Sequence, residues 1–204
     1  MLKLFYTPGT CALASRIALE DAGADYEIIR VDFGKQEQRS PEFLKINPKG
    51  RVPALSTDKG ILTETPAILA FVAQSFPNAR LAPLDDPYAF AEMQAFNSYI
   101  SSTVHVNHAH GRRGTRWAND EASLADMKSK VSETMTAAME LIEYGMFEGP
   151  WVMGETYTVA DPYLFTMARW LEGDGVDIET LPRIKDHMNR MAGLESVKRA
   201  LADA

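Results

Sequence analysis

The sequence predicts two unlike parts: an α/β unit over residues 1–78 and an all-α unit over residues 88–204, joined by a linker over 79–87. Three observations predict this. The first third alternates strand-like runs with helical spacing and closes on a hairpin signal. Residues 81–87 then bring two prolines and two aspartates, a linker composition. Everything beyond repeats apolar residues at three and four positions.

Leu2-Lys3-Leu4-Phe5-Tyr6 reads as the first strand, broken by Pro8-Gly9. Leu13, Ile17 and Leu19 follow helical spacing to the stop at Gly23. Residues 26–31 form a second strand, rich in Ile and Val. Ser40-Pro41 is a helix start, with serine as cap and proline at the first position. After Asn47-Pro48-Lys49-Gly50, residues 52–56 and 61–63 form a hairpin across Thr57-Asp58-Lys59-Gly60. Residues 66–76 supply another helix, ending before Pro77. The order β-α-β-α-β-β-α is that of a thioredoxin-like domain, with a parallel pair from the crossover and antiparallel strands from the hairpin.

In the second part, residues 88–105 form a long helix. Leu124, Met127, Val131, Met135, Met139 and Ile142 make one continuous apolar stripe, a core face or, through its methionines, an adaptable ligand surface. Thr158-Val159-Ala160-Asp161 resembles a capping box and opens a helix through Tyr163 and Leu171. Residues 181–191 and 197–201 are the last helices.

Composition sets limits. The 204 residues are 46% hydrophobic and 24% charged, an ordinary globular balance with no internal repeat. The single cysteine cannot form an internal disulfide, no apolar run suits a membrane span, and the N-terminus lacks a signal-peptide pattern. A cytoplasmic location without membrane association is therefore expected. A net charge of −7 argues against nucleic-acid binding. Between Glu92 and Asp120, however, no acidic residue occurs, while Arg112, Arg113, Arg116 and three of the four histidines do. That stretch is either a solvated face or a device steering a small anion.

Cys11 stands where the first strand turns into a helix, a place that favours thiolate; a plain buried cysteine is the alternative. Cys11-Ala12-Leu13-Ala14 lacks the second thiol of a dithiol motif, so redox chemistry would need a borrowed thiol, of which glutathione is the plentiful cytosolic source. Val52-Pro53 is a simple strand-start proline or a cis bond leaving the Val52 backbone free for a ligand. Thr65 is placed as an N-cap, and the N–H groups there suit a carboxylate, while Glu64 suits an ammonium. A neighbouring carboxylate and ammonium describe an α-amino acid, as at the γ-glutamyl end of glutathione.

With Tyr6-Thr7-Pro8-Gly9-Thr10-Cys11, Asn47-Pro48-Lys49-Gly50-Arg51-Val52-Pro53-Ala54-Leu55, Leu62-Thr63-Glu64-Thr65 and the later Thr158–Asp161 and Arg169-Trp170 in place, the chain resembles a cytosolic glutathione transferase, most closely the bacterial beta class. The resemblance spans nearly the whole chain and implies detoxifying conjugation of glutathione to small hydrophobic or anionic electrophiles by a homodimer, without metal. It implies Cys11 and His105 beside the glutathione sulfur, with Thr10 as a further donor. It gives Val52 and a cis Pro53 to the cysteinyl backbone, Glu64 and Thr65 to the γ-glutamyl group, and Lys35 and Arg51 to the glycyl carboxylate or rim. Tyr6 matches the catalytic tyrosine of other classes and is expected in the electrophile pocket. Where the family has an asparagine seven residues before the site histidine, this chain has Ser98. Residues 105–117 depart from the family; His108, Arg112, Arg113, Arg116 and Trp117 are expected to line a pocket for an anionic or aromatic co-substrate. His105 and His108 raise a metal site, but no cysteine or acid lies near them in sequence. A glutathione-dependent disulfide or peroxide oxidoreductase using a mixed disulfide at Cys11, and a ligand-sequestering binding protein, are the alternative functions.

Overall fold

The computed structural model describes residues 1–202; residues 203 and 204 of the expected helical part lie outside them. Strands β1 (Leu2–Tyr6), β2 (Tyr26–Arg30), β3 (Ala54–Thr57) and β4 (Gly60–Thr63) form one sheet in the order β2-β1-β3-β4. β1 runs parallel to β2, with Leu4 opposite Ile28, and antiparallel to β3, with Leu4 opposite Leu55. The β3–β4 hairpin turns on Asp58-Lys59, with Thr57 opposite Gly60. Helices α1 (Ala12–Asp21), α2 (Pro41–Ile46) and α3 (Thr65–Ser75) complete the expected β-α-β-α-β-β-α order. Ser40 caps α2 as its sequence predicts, its Oγ accepting from the Phe43 N–H at 3.1 Å.

α1 is buried from Ala12 to Leu19 on every side, not along one stripe. It packs on α3 and also against two helices of the second part, α8 (Ala160–Ala168) and α10 (Glu195–Ala202). The small residues Ala12, Ala14 and Ala18 let these neighbours approach; α8 is likewise buried throughout. One cluster of buried side chains, from Leu4 and Ile17 to Phe165 and Leu164, therefore runs through both parts.

The second part begins with α4 (Pro87–Tyr99), capped by the Asp86 carboxylate accepting from Tyr88 and Ala89 N–H. The helix expected to end at His105 continues instead. A π-helical turn over Ile100–Val104 leads into α5 (His105–Arg113), closed by a 3₁₀ turn at Gly114–Arg116. The extra residue in a π turn rotates the side chains that follow it relative to those before. The apolar stripe from Leu124 to Ile142 occupies two helices, α6 (Glu121–Ser129) and α7 (Val131–Leu141), which part at Lys130. It is a core face, with Val131, Met135, Met139 and Ile142 buried. Gly114 lets α6 close on α5: a Cβ there would stand 3.0 Å from Leu124 Cδ2.

Asp161 fastens the start of α8. Its buried carboxylate accepts from Val152 N–H at 2.8 Å and Thr158 N–H at 2.7 Å, and pairs with His187 Nε2 at 3.0 Å. His187 belongs to α9 (Pro182–Gly193), whose own first turn is capped by the buried Glu143 carboxylate. Among the described residues no helix is long and apolar enough to cross a membrane.

Candidate active site

The β1–α1 turn sets Cys11. Thr7 Oγ1 donates to Val31 O at 2.6 Å, tying the turn to the end of β2, and Gly9 takes φ +72°, a left-handed value that glycine adopts freely. Cys11 then occupies the N-cap of α1, only 8% exposed. Its thiol points across to the next loop and donates to Val52 O at 3.7 Å. Burial pushes the Cys11 thiol up, against opposing pulls from the Thr65 side chain and the Arg113 charge. The helix end alone predicted an easily ionised thiol; loss of solvation outweighs it here. Thr10 corrects a second expectation. Its hydroxyl donates to Thr7 O at 2.6 Å, so its hydrogen is spent inside the turn.

The loop before β3 is held by Asn47. Its Nδ2 donates to Arg51 O at 2.7 Å, its Oδ1 accepts from Lys49 N–H at 3.2 Å, and the Val52–Pro53 bond is cis. Gly50 has φ +62°, and a Cβ there would meet Gln38 O and an Arg39 nitrogen at 2.9 Å. At the β4–α3 turn, Thr65 is the first residue of α3, not its cap. Glu64 holds the cap position at φ +73°, which residues other than glycine rarely adopt. Its carboxylate is met by Lys49 Nζ at 2.7 Å.

Against this face lies α5. His105 and His108 both rest on Trp170, His105 edge-on at 5.2 Å between ring centroids and His108 stacked at 4.1 Å. Burial, followed by the charges of His108, Arg113, Arg116 and Arg51, lowers His105 to about 4, so its imidazole is neutral at physiological pH. His108 Nδ1 lies 2.7 and 2.9 Å from the two oxygens of Asp174, a carboxylate 4% exposed. Arg113 lies over the Phe33 ring at 5.7 Å. Arg116 is lowered to about 10 by partial burial first and then by the charges of Arg51, Arg113 and Arg39.

One cleft gathers Thr10, Cys11, Arg51, Val52, Pro53, Glu64 and Thr65 from the α/β part with His105, His108, Arg113, Arg116 and Trp117 from the helical part. Four expected residues lie elsewhere. Tyr6 is wholly buried in the sheet's core, under the Arg16 guanidinium at 5.3 Å, because alternation along β1 turns it away from the cleft. Lys35 is exposed and pairs with Asp32 at 3.5 Å. Ser98 faces outward from α4 while Asn97 beside it is buried; Ser101, one turn on, lines the cleft instead. Arg112 projects to the other side of α5, against Gly173.

Sequence reasoning missed Phe33, Tyr163, Trp170 and Asp174. Tyr163 and Trp170 stood in motifs that matched the family but carried no polar pattern. Asp174 lies 66 positions beyond His108, so no local spacing could pair them. An acid does therefore reach His108, where the sequence showed none nearby; among the described residues no three His, Cys, Asp or Glu side chains converge.

Residues 1–74 match the model of the glutathione S-transferase N-terminal domain, and residues 90–195 that of the C-terminal domain. Glutathione S-transferase GstA of Escherichia coli O157:H7 is 32% identical over 204 residues, with 98% of each chain covered. A maleylacetoacetate isomerase of Pseudomonas aeruginosa is 28% identical over 209 residues, covering all of this chain and 95% of that one. The crystal structure of a glutathione transferase homolog from Sulfitobacter, with bound glutathione, has a TM-score of 0.96 at 46% identity, over 100% of this chain and 98% of that chain. A bacterial beta class transferase from Sphingomonas chungbukensis has a TM-score of 0.86 at 31% identity, covering 98% of each chain.

Proposed function

This chain belongs to the glutathione S-transferase family, and on that premise we propose that it binds glutathione across Val52 and transfers its sulfur to small electrophiles, anionic ones preferred. The observation that carries the reading is the single cleft in which Cys11, Val52, Glu64 and Thr65 face His105, Arg113 and Trp170. Glutathione is an extended tripeptide with a thiol at its centre and an α-amino acid at one end. The Val52 backbone suits the middle peptide, Glu64 with the start of α3 suits the amino-acid end, and Arg51 suits the far carboxylate. The sulfur then lies near Cys11 and the positive end of α1. With Thr10 committed to Thr7, the neutral His105 is the side-chain donor for the thiolate. The electrophile occupies the half of the cleft bounded by Trp170, Trp117 and the arginines.

Two measurements test this together: calorimetric binding of glutathione, and turnover of an aryl chloride and of a small disulfide by wild type and Cys11→Ser. Saturable conjugation that survives in Cys11→Ser is expected. Cys11 does line the cleft, which favours the thiol–disulfide reading as the second one. Disulfide turnover that exceeds conjugation and vanishes in Cys11→Ser would establish that reading. Glutathione or ligand binding with no turnover would leave a binding protein. We also infer a homodimer, as the resemblance to the family implies, and sedimentation velocity reads it directly.

A further inference from the structure

We propose that Arg39, Arg51, Arg113 and Arg116 form a collar on one side of the cleft that selects a doubly charged anion, a dicarboxylate or a phosphate monoester, as the ligand held beside glutathione. The inference rests on the transferase reading and deepens it. It fixes the number of negative charges on the second ligand, and it adds Arg39 to the residues that meet it.

The collar is drawn from both parts of the chain. Arg39 ends the 3₁₀ turn over Glu37–Arg39, between β2 and α2, its N–H donating to Gln36 O at 2.8 Å. Its side chain lies over Gly50, where a Cβ would stand 2.9 Å from Arg39 Nη1. The bare glycine backbone thus admits the guanidinium beside Arg51. From the helical part come Arg113, the last residue of α5, and Arg116, in the 3₁₀ turn that follows. Arg113 rests over the Phe33 ring at 5.7 Å, a contact that steadies the guanidinium without using its N–H donors. Arg51, Arg113 and Arg116 line the cleft, and the Arg39 charge is among those that, after partial burial, lower Arg116.

Four gathered cations attract counter-charge, and the protein supplies none. Among the described residues no carboxylate pairs with any of the four. The acids beside the cleft are engaged: Glu64 by Lys49 and Asp174 by His108. Glutathione, placed as proposed, brings its glycyl carboxylate to Arg51 and its other charged groups to Glu64 and the start of α3. Arg39, Arg113 and Arg116 then face the second ligand alone. One carboxylate fills a single guanidinium fork, whereas two negative charges engage forks from both parts at once.

The test is calorimetric titration at pH 8 of protein saturated with S-methylglutathione, in which no thiol can react. The probes are three inert aromatic anions: benzoate, phthalate and phenyl phosphate. Wild type should bind phthalate or phenyl phosphate at least tenfold more tightly than benzoate. The tighter of the two identifies paired carboxylates or a phosphate as the preferred form. Arg39→Ala should cut the preference for two charges at least fivefold. Arg112→Ala removes an equal charge from the side of α5 facing Gly173 and should leave the preference within twofold. A diffuse positive field would make these two variants alike. Equal affinity of wild type for one charge and two, or equal responses of the two variants, would overturn the collar while leaving the transferase. Failure of S-methylglutathione itself to bind would overturn the transferase reading.

Discussion

The Cys11 thiol donates to the carbonyl oxygen of Val52, 41 residues away in sequence and 3.7 Å away in space. Two loops that each looked suited to a peptide ligand are thus joined through the one cysteine of the chain. Its burial and this hydrogen bond both favour the thiol over the thiolate. Cys11 should therefore alkylate with iodoacetamide more slowly than free cysteine at pH 7. Its rate should climb at a pH above the ordinary cysteine range, and bound glutathione should protect it. Mass spectrometry of the modified peptide across pH 6–10 checks all three. Rapid labelling at pH 6 would show a thiolate that the burial does not permit.

Lys49 holds the Glu64 carboxylate at 2.7 Å. Both side chains are partly exposed, 43% and 59%, so the pair contributes little to stability, about 1 kcal/mol at most. Its importance lies in binding, because Glu64 must share its carboxylate with the ammonium of glutathione. Glu64→Gln should weaken glutathione about tenfold, or about 1.4 kcal/mol, an amount in keeping with one charged hydrogen bond. Lys49→Ala should change the melting temperature by no more than about 4 °C. Calorimetry and thermal unfolding separate the two effects.

How far these arrangements were legible in the sequence depends on distance along the chain. Cys11, Val52 and Glu64 announced themselves because each stands at a turn whose local signals (Pro8-Gly9, Pro53, Pro66) are strong. The same locality explains the errors. Tyr6 matched a family position, yet the pleat of β1 sends its ring into the core. Thr65 looked like a cap by residue type, but Glu64 is the residue whose backbone leaves helical geometry. Arg112 and Arg113 were indistinguishable as neighbours in a basic run. Only the phase of α5, set through the π turn before it, sends Arg113 to the cleft and Arg112 to Gly173. Asp174 carried no signal at all, since its partner sits on another helix.

His105 gives the fold a calculable acid sensitivity. Its folded pKa is about 4, below the 6.5 of an exposed histidine, because burial and neighbouring cations oppose its charge. The unfolded chain then binds the proton more readily, so stability is intact above pH 6.5 and falls as pH drops toward 4. At about 1.4 kcal/mol per pKa unit, the loss across that window is on the order of 3 kcal/mol. Urea unfolding at pH 7.5 and 4.5 should show it in wild type. His105→Asn should remove most of the difference, because asparagine has no proton to gain.

Asp161 ties the start of α8 to α9. One carboxylate serves Val152 N–H, Thr158 N–H and His187 Nε2, all buried. Asp161→Ala leaves these groups without their acceptor and should cost about 3–5 kcal/mol. Denaturant midpoints measure that cost. Because Asp161 lies outside the cleft, the KM for glutathione of the fraction that folds should stay within about twofold of wild type.

Arg51, Arg113 and Arg116 crowd positive charge around one side of the cleft, and Arg116 is lowered to about 10, first by partial burial and then by its cationic neighbours. An anion entering between them relieves that repulsion, which a neutral molecule of the same shape cannot do. The double substitution Arg113→Ala with Arg116→Ala should raise KM about tenfold for an aryl chloride bearing a carboxylate, and change it less than about twofold for the corresponding methyl ester. Added salt should mimic the substitution for the acid alone, since screening acts on the same attraction. Arg112→Ala supplies the internal control: it removes an equal charge from the same helix, on the side facing Gly173, and should leave both KM values in place. Equal losses for acid and ester in the double variant would mean that the arginines shape the cleft without selecting charge.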